Sequence, residues 1–227
     1  MTRGIFITGT GTDVGKTYIT ALIVKKLRES GINCGYFKAA MSGCERGGDG
    51  KLIPGDALHV KNISGTPQPL DEMCPYVYEN AVSPHLAAKL EKKNVELDIV
   101  KKSFEKLCGE YDFIAAEGSG GIMCPIRYDS DHVIMLEDVI KTLDLPCLIV
   151  ADAGLGTINS VTLTVSYMRS HGLDVKGVIF NHFHKGSVME EDNLRMCREL
   201  ANIRIIACAC DGDGDIDIDV GELVGSD

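Results

Sequence analysis

The stretch IFITGTGTDVGKT, residues 5–17, decides how the chain is read: an apolar strand runs into a glycine- and threonine-rich loop, and Gly15, Lys16 and Thr17 then open a helix. Backbone N–H groups of such a loop converge on an anion, the positive end of the helix adds to their field, and Lys16 supplies a mobile charge. A nucleotide polyphosphate suits this arrangement, with the Thr17 hydroxyl offered to Mg²⁺. The loop is a variant, because the strict pattern wants glycine five residues before Gly15 and this chain has Thr10 there, between Gly9 and Gly11. A flexible turn without a ligand is the bland alternative, and the strand before and helix after speak against it.

The rest of the chain bounds what such a site serves. At 227 residues it is long enough to bury a substantial core as one domain. A net charge of −10 and a pI near 5.1 provide no basic field for nucleic acid or an acidic membrane surface, so the phosphate site has to be local. The N-terminal apolar run, Ile5 to Ile7, is too short for a signal-peptide core, and no segment approaches the ~20 apolar residues of a membrane span. These features predict a cytoplasmic protein. Nine scattered cysteines without a CxxC pair read as free thiols.

Apolar runs GIFITG, CGYFK, YDFIAAE, CLIVAD, VKGVIFN and IRIIACA alternate with segments of helical periodicity. That alternation predicts an α/β fold of the P-loop NTPase kind, a mostly parallel sheet with helices on both faces. The helix after the loop stops at Gly31, Ser83 and Pro84 look like a cap and first residue, and Leu97 to Leu107 forms another amphipathic helix. Residues 1–210 are expected to form a single domain followed by an acidic C-terminal segment, 211–227.

Ligands of such sheets gather at the C-terminal strand ends. YDFIAAE ends in Glu117, the first metal candidate; Asp56 in PGDALHV is the second, with a helix cap as its alternative. CGYFK ends in Lys38. That lysine either snorkels to solvent or stabilises a developing carboxylate or phosphoryl charge, with the Thr12 and Ser42 hydroxyls orienting a substrate.

Taken together and in order, GTGTDVGKT, KAAMSG, GDAL, PYVYENAVSPH, EGSGG and GLGTINS resemble the dethiobiotin synthetase family over nearly the whole chain up to about residue 182. The resemblance implies an ATP- and Mg²⁺-dependent ring closure in biotin synthesis, in which 7,8-diaminononanoate, CO₂ and ATP give dethiobiotin, ADP and phosphate. It implies a carbamate and then a carbamic-phosphoric anhydride on the way. By the same resemblance Lys38 lies near the carbamate, Thr12 and Ser42 contact substrate, and Lys16 stabilises the transferred phosphoryl group. Thr17, Asp56 and Glu117 hold Mg²⁺. Asp13, at a position commonly Glu in the family, joins Val14, Gly15, Lys16, Thr17 and Tyr18 around the nucleotide, together with Glu117, Gly118, Ser119 and Gly120. Asn181 matches a family asparagine near the base. The family works as a homodimer, with the substrate carboxylate received near the partner's loop, here Gly154 to Asn159; a helix cap is the alternative for Asn159.

Two departures stand out. Family members commonly follow the last core strand with a proline-containing base loop, whereas here IRIIACAC runs into DGDGDIDIDVGELVGSD, and His182 replaces a usual acidic residue. The acidic residues at 211, 213, 215, 217, 219 and 222 count like a calcium loop, but Ile216 occupies the position that needs glycine. A solvated acidic tail or an edge strand is the expectation. His85 is placed near substrate or in a packing role. Competing functions are a cobyrinate-type amide ligase, for whose glutamine-hydrolysing domain no room remains, and a partitioning-type switch ATPase. The latter carries an extra signature lysine near the loop's start, and this loop has only Lys16.

Overall fold

The computed structural model describes residues 4–225. It begins with β1 (Gly4–Gly9), α1 (Lys16–Glu29), β2 (Cys34–Lys38), β3 (Ala40–Met41), β4 (Glu45–Arg46), β5 (Leu52–Ile53) and α2 (Gly55–Ser64). There follow α3 (Leu70–Met73), β6 (Tyr76–Val77), α4 (Pro84–Leu90), α5 (Leu97–Cys108), β7 (Phe113–Glu117), β8 (Pro125–Tyr128) and β9 (Val133–Met135). The last third holds α6 (Leu136–Leu143), β10 (Cys147–Asp152), α7 (Thr157–Ser170), β11 (Val175–Asn181), α8 (Val188–Ala201), β12 (Ile205–Cys208) and α9 (Val220–Val224).

The six apolar runs form one parallel sheet in the order β12-β11-β10-β1-β7-β2. The strands are buried on both faces, which is why they read as continuous apolar runs. Alternation along β1 splits its side chains: Ile5 and Ile7 pack with Ile19, Leu22, Ile23 and Leu27 of α1, while Phe6 joins Phe37, Ile114, Ile149 and Phe180 in the opposite core. Each such side chain contributes about 1.5–3 kcal/mol of transfer free energy. The chain leaves β1 toward β2 on one side, and β10 to β12 fill the other, so a crevice opens at the C-terminal end of β1.

Helix ends follow local chemistry. Gly31 takes φ 85, and the Gly31 and Ile32 N–H groups donate to the Arg28 and Leu27 carbonyls, closing α1 where the sequence places its stop. Pro84 opens α4 as expected, but the Ser83 hydroxyl makes no capping bond. No helix among the described residues is long and apolar enough to cross a membrane.

The acidic segment departs from the expected solvated tail or edge strand. Ile216, Ile218 and Val224 are buried in the core that contains α1, while Asp215 and Asp217 face out. Period-two alternation lets one short stretch do both. Lys26 Nζ pairs with Asp215 Oδ2 at 2.8 Å, Lys25 Nζ donates to the Gly214 carbonyl at 2.6 Å, and the Tyr18 hydroxyl donates to the Asp213 carbonyl.

Candidate active site

The loop between β1 and α1 is tied down at its entry by Thr10 N–H, which donates to the Val150 carbonyl at 3.0 Å. It exits through Gly15 at φ 87, and the first-turn amides of α1 have no intrahelical acceptor and no side-chain cap. Lys16 is buried, and its Nζ donates to the Gly11 carbonyl at 2.7 Å, folded back across the loop. Burial, and then the charge of Lys38, hold the Lys16 ammonium below its ordinary pKa. A cradle of free amides with a poorly hydrated ammonium beside it is suited to polyphosphate.

Across the crevice, parallel pairing of β2 with β7 sets Lys38 beside Glu117. Lys38 Nζ lies 2.7 Å from Glu117 Oε1 and 2.5 Å from Asp56 Oδ2, the latter in the first turn of α2. The Thr17 hydroxyl donates to the same Glu117 Oε1 at 2.8 Å, and the Tyr36 hydroxyl donates to Oε2 at 3.0 Å. Burial would lower the Lys38 pKa, but the two carboxylates outweigh it and raise it, so the ammonium stays charged. Burial, and then Glu117, push the Tyr36 phenol well up and keep it a donor. The cations Lys16 and Lys38 balance the carboxylates Asp56 and Glu117.

Thr17, Asp56 and Glu117 therefore share one small volume and present only hard oxygen donors, the chemistry that suits Mg²⁺. No group of three or more His, Cys, Asp or Glu side chains among the described residues could hold a metal by itself. A cation that takes few protein ligands and completes its shell with water and phosphate fits that set.

These groups line a cavity of about 1150 Å³. It brings together Thr12, Asp13, Gly15, Lys16, Thr17, Tyr18, Lys38, Ser42, Asp56, Glu117, Ser119 and Gly120. Val14, Gly118, Asn159 and Asn181 are not on its wall: Gly118 packs against Leu136 and Phe6, and the Val14 carbonyl accepts from Asn181 Nδ2 at 3.3 Å. Ser42 and Ser119 donate to the Val82 and Ala40 carbonyls at 2.5 and 2.9 Å, leaving oxygen lone pairs for a ligand.

Asn159 is exposed in the first turn of α7, whose N-cap is Gly156, so it is not the cap. In the preceding loop Leu155 is 91% exposed, and Gly154 N–H donates to Asp152 Oδ1 at 2.7 Å. The acidic positions of the C-terminal segment do not converge. Asp213 Oδ2 takes Cys210 N–H, Asp215 takes Lys26, and Asp219 Oδ1 takes Glu222 N–H.

Sequence reasoning missed His59, Cys124 and Tyr36. His59 lines the cavity one helical turn after Asp56, a spacing that puts both on one face of α2. Tyr36 precedes Lys38 by two residues in a strand and so shares its face. Cys124 lines the cavity after the glycine-rich loop, with its thiol pushed up by burial against the opposing pull of Lys16 and Lys38; no periodic signal marks it.

Residues 3–209 match the protein-family model described as AAA domain. The chain is 48% identical over 208 residues to the ATP-dependent dethiobiotin synthetase BioD of Clostridium botulinum (strain Loch Maree / Type A3), spanning 92% of this chain and 91% of that protein. It is 47% identical over 206 residues to the protein of the same name from Brachyspira hyodysenteriae, with 91% of each covered. Among solved structures, the septum site-determining protein MinD of Pyrococcus horikoshii OT3, complexed with Mg-ADP, superposes with a TM-score of 0.57 at 15% identity, covering 100% of this chain and 90% of that one. The MinC:MinD cell division complex of Aquifex aeolicus gives 0.57 at 17% identity, with 92% and 81% covered. At such identities the likeness speaks for the fold alone.

Proposed function

The chain belongs to the ATP-dependent dethiobiotin synthetase family, and from that membership we propose that it closes the ureido ring of dethiobiotin from 7,8-diaminononanoate, CO₂ and ATP. It is a ligase that forms C–N bonds. One substrate amine adds to CO₂ and loses a proton, giving a carbamate. A carbamate oxygen attacks the γ-phosphorus of ATP and ADP leaves. The second amine then attacks the carbonyl carbon of the carbamic-phosphoric anhydride and expels phosphate.

The observation that carries this reading is the Lys38 ammonium, held between Asp56 Oδ2 and Glu117 Oε1 in the same cavity as the phosphate loop. A lysine kept charged there meets the carbamate and the negative charge that develops as it is phosphorylated. Lys16, on a flexible stem and bonded to the neutral Gly11 carbonyl, reaches the transferred phosphoryl group, and the amides of Asp13 to Tyr18 hold the phosphates. Ser119 and Gly120 close the nucleotide side of the cavity, with Gly118 packed behind them, and Thr12 and Ser42 orient the diamine. Held by Thr17, Asp56 and Glu117, Mg²⁺ neutralises phosphate oxygens when bound.

Asn181 serves the base. The carboxylate tail of the substrate is received by loop 154–159 of a second copy, Asn159 included; the uncapped first turn of α7 and the exposed Leu155 support that assignment. We further place the protein in the cytoplasm and read residues 1–210 as a single P-loop α/β domain followed by the acidic C-terminal segment 211–227.

Phosphate release by purified protein with Mg²⁺, bicarbonate and ATP, with and without 7,8-diaminononanoate, tests the reading when product mass is read in the same tube. Diamine-dependent release with dethiobiotin formed is the expected result. Release that ignores the diamine and yields no dethiobiotin overturns it in favour of a switch ATPase.

A further inference from the structure

Resting on the reading of Thr17, Asp56 and Glu117 as the Mg²⁺ ligands of a nucleotide site, we propose that Tyr36, pinned through its main chain by Gln68, is a positioning residue that fixes the Glu117 carboxylate for the metal. Neither Tyr36 nor Gln68 lines the cavity, and both act through Glu117.

The sheet order shows why Tyr36 needs a pin. β2 is the last strand of the six and pairs with β7 on one side, so its other side presents main-chain N–H and C=O groups without a neighbouring strand. The side-chain amide of Gln68 stands in for that strand. Tyr36 N–H donates to Gln68 Oε1 at 2.7 Å, and Gln68 Nε2 donates to the Tyr36 carbonyl at 2.9 Å. Only this orientation of the amide matches donor to acceptor at both points. Gln68 is itself fully buried between α2 and α3, where its carbonyl accepts from Lys61 Nζ of α2 at 2.5 Å and its N–H donates to Thr66 Oγ1 at 3.4 Å. β2 is thus held by β7 on one side and by Gln68 on the other.

The Tyr36 ring is packed in the core with Ile5, Ile7, Ile19, Ala57 and Val60, and it delivers its hydroxyl to Glu117 Oε2 at 3.0 Å. The last torsion of a glutamate side chain has a broad minimum, so Glu117 does not set the plane of its own carboxylate. Its Oε1 is shared by Lys38 Nζ and the Thr17 hydroxyl, two groups that substrate and metal also call upon. The phenol stays in place while those two turn to ligands. Hydrogen bonds behind a metal ligand orient it in this way, and losing one typically costs about 10–100-fold in metal affinity. The phenol also draws charge from the carboxylate, which acts in the opposite sense; orientation outweighs it here.

Calorimetric titration of the full chain with the β,γ-imido analogue of ATP, once in saturating Mg²⁺ and once in EDTA, tests the proposal, because the ratio of the two affinities reports the metal alone. In Tyr36→Phe, which keeps the ring and removes the hydroxyl, that ratio should shrink by about tenfold or more while the affinity in EDTA is unchanged. The Mg²⁺ concentration for half-maximal phosphate release should rise in step, with most of the turnover regained at saturating Mg²⁺. Gln68→Met, which keeps the stem and removes the amide, should shift the ratio in the same direction and carries the same test if Tyr36→Phe does not fold. Met73→Ala loosens the same core from α3 and should leave the ratio as in the wild type. A Tyr36→Phe protein with an equal or larger ratio overturns the proposal and leaves the metal reading standing, and so does a Met73→Ala protein that loses as much. If neither Tyr36→Phe nor Gln68→Met folds, the pair belongs to the fold and the proposal fails. A wild-type protein whose affinity for the analogue ignores Mg²⁺ overturns the metal reading, and the proposal with it.

Discussion

Lys38 Nζ lies 2.7 Å from Glu117 Oε1 on adjacent strands, both side chains out of water, and the Thr17 hydroxyl shares the same carboxylate oxygen. Removing one member of a buried pair leaves an uncompensated charge, which costs about 3–5 kcal/mol. Lys38→Met should therefore lose stability and reduce turnover by at least about 100-fold. Adding Glu117→Gln should recover most of the stability and none of the turnover. Denaturant melts beside the phosphate-release assay check both; full turnover in Lys38→Met would remove Lys38 from the chemistry.

Lys16 offers a contrast, because among the described residues its Nζ bonds only the Gly11 carbonyl and no carboxylate. Lys16→Ala should cost about 1–3 kcal/mol, less than Lys38→Met, since the acceptor left unpaired is a neutral carbonyl and not a carboxylate. Turnover should fall by at least about 100-fold for want of phosphoryl stabilisation. Retained turnover in a single-turnover assay would sink the phosphate-loop assignment.

The phosphate loop and the charged strand ends were legible because each is a local pattern: an apolar run that stops at Lys38 or Glu117 marks where a strand leaves the core. What joins them was not legible. Nothing near Lys38 announces that β7, far away in sequence, inserts between β1 and β2 and brings Glu117 alongside. The contact between Asp152 and His182 depends likewise on the pairing of β10 with β11. Tyr36 was readable from its spacing to Lys38 but passed for core. In the C-terminal segment the carboxylates drew attention from Ile216 and Ile218, whose alternation was the informative signal.

Gly15 is constrained twice, by φ 87 and by Asn181 Nδ2 standing 2.0 Å from where a Cβ would be. Gly15→Ala should cost about 1–2 kcal/mol from the backbone alone and displace Asn181 as well. Adding Asn181→Ala should relieve the steric part and leave the backbone part, so the double variant should be less destabilised than the sum of the singles. Chemical denaturation of the four proteins in the cycle measures the coupling, and strict additivity would mean that the two residues do not press on each other.

Acid stability should depend on the hairpin of β8 and β9. The Arg127 guanidinium, with help from the His132 and Asp131 N–H groups, holds the Asp129 carboxyl down to about 2 from its ordinary 3.8. A depressed folded-state pKa gives stability that is present above the unfolded value and lost as pH falls through the folded one. The contribution of Asp129 should thus be complete at neutral pH and disappear between 3.8 and about 2. Thermal melts across that window should show a shallower acid slope in Asp129→Asn than in the wild type; identical slopes would rule the pair out as a source of acid sensitivity.

The C-terminal segment should behave as part of the core that supports the phosphate-loop helix. Ile218 is buried beside α1, and the surrounding turn is fastened through Tyr18, Lys25 and Lys26, all on that helix. The exposed pair of Lys26 and Asp215 contributes little, so the apolar contacts decide. Ile218→Ala should cost about 2–5 kcal/mol, whereas Asp217→Asn, which removes one charge from the exposed residue beside it, should be nearly neutral. Hydrogen exchange on the Ile218→Ala protein should show faster exchange in α1 than in α5, on the opposite face of the sheet. Equal stability losses in the two variants would mean that charge, and not the buried alternation, holds the segment in place.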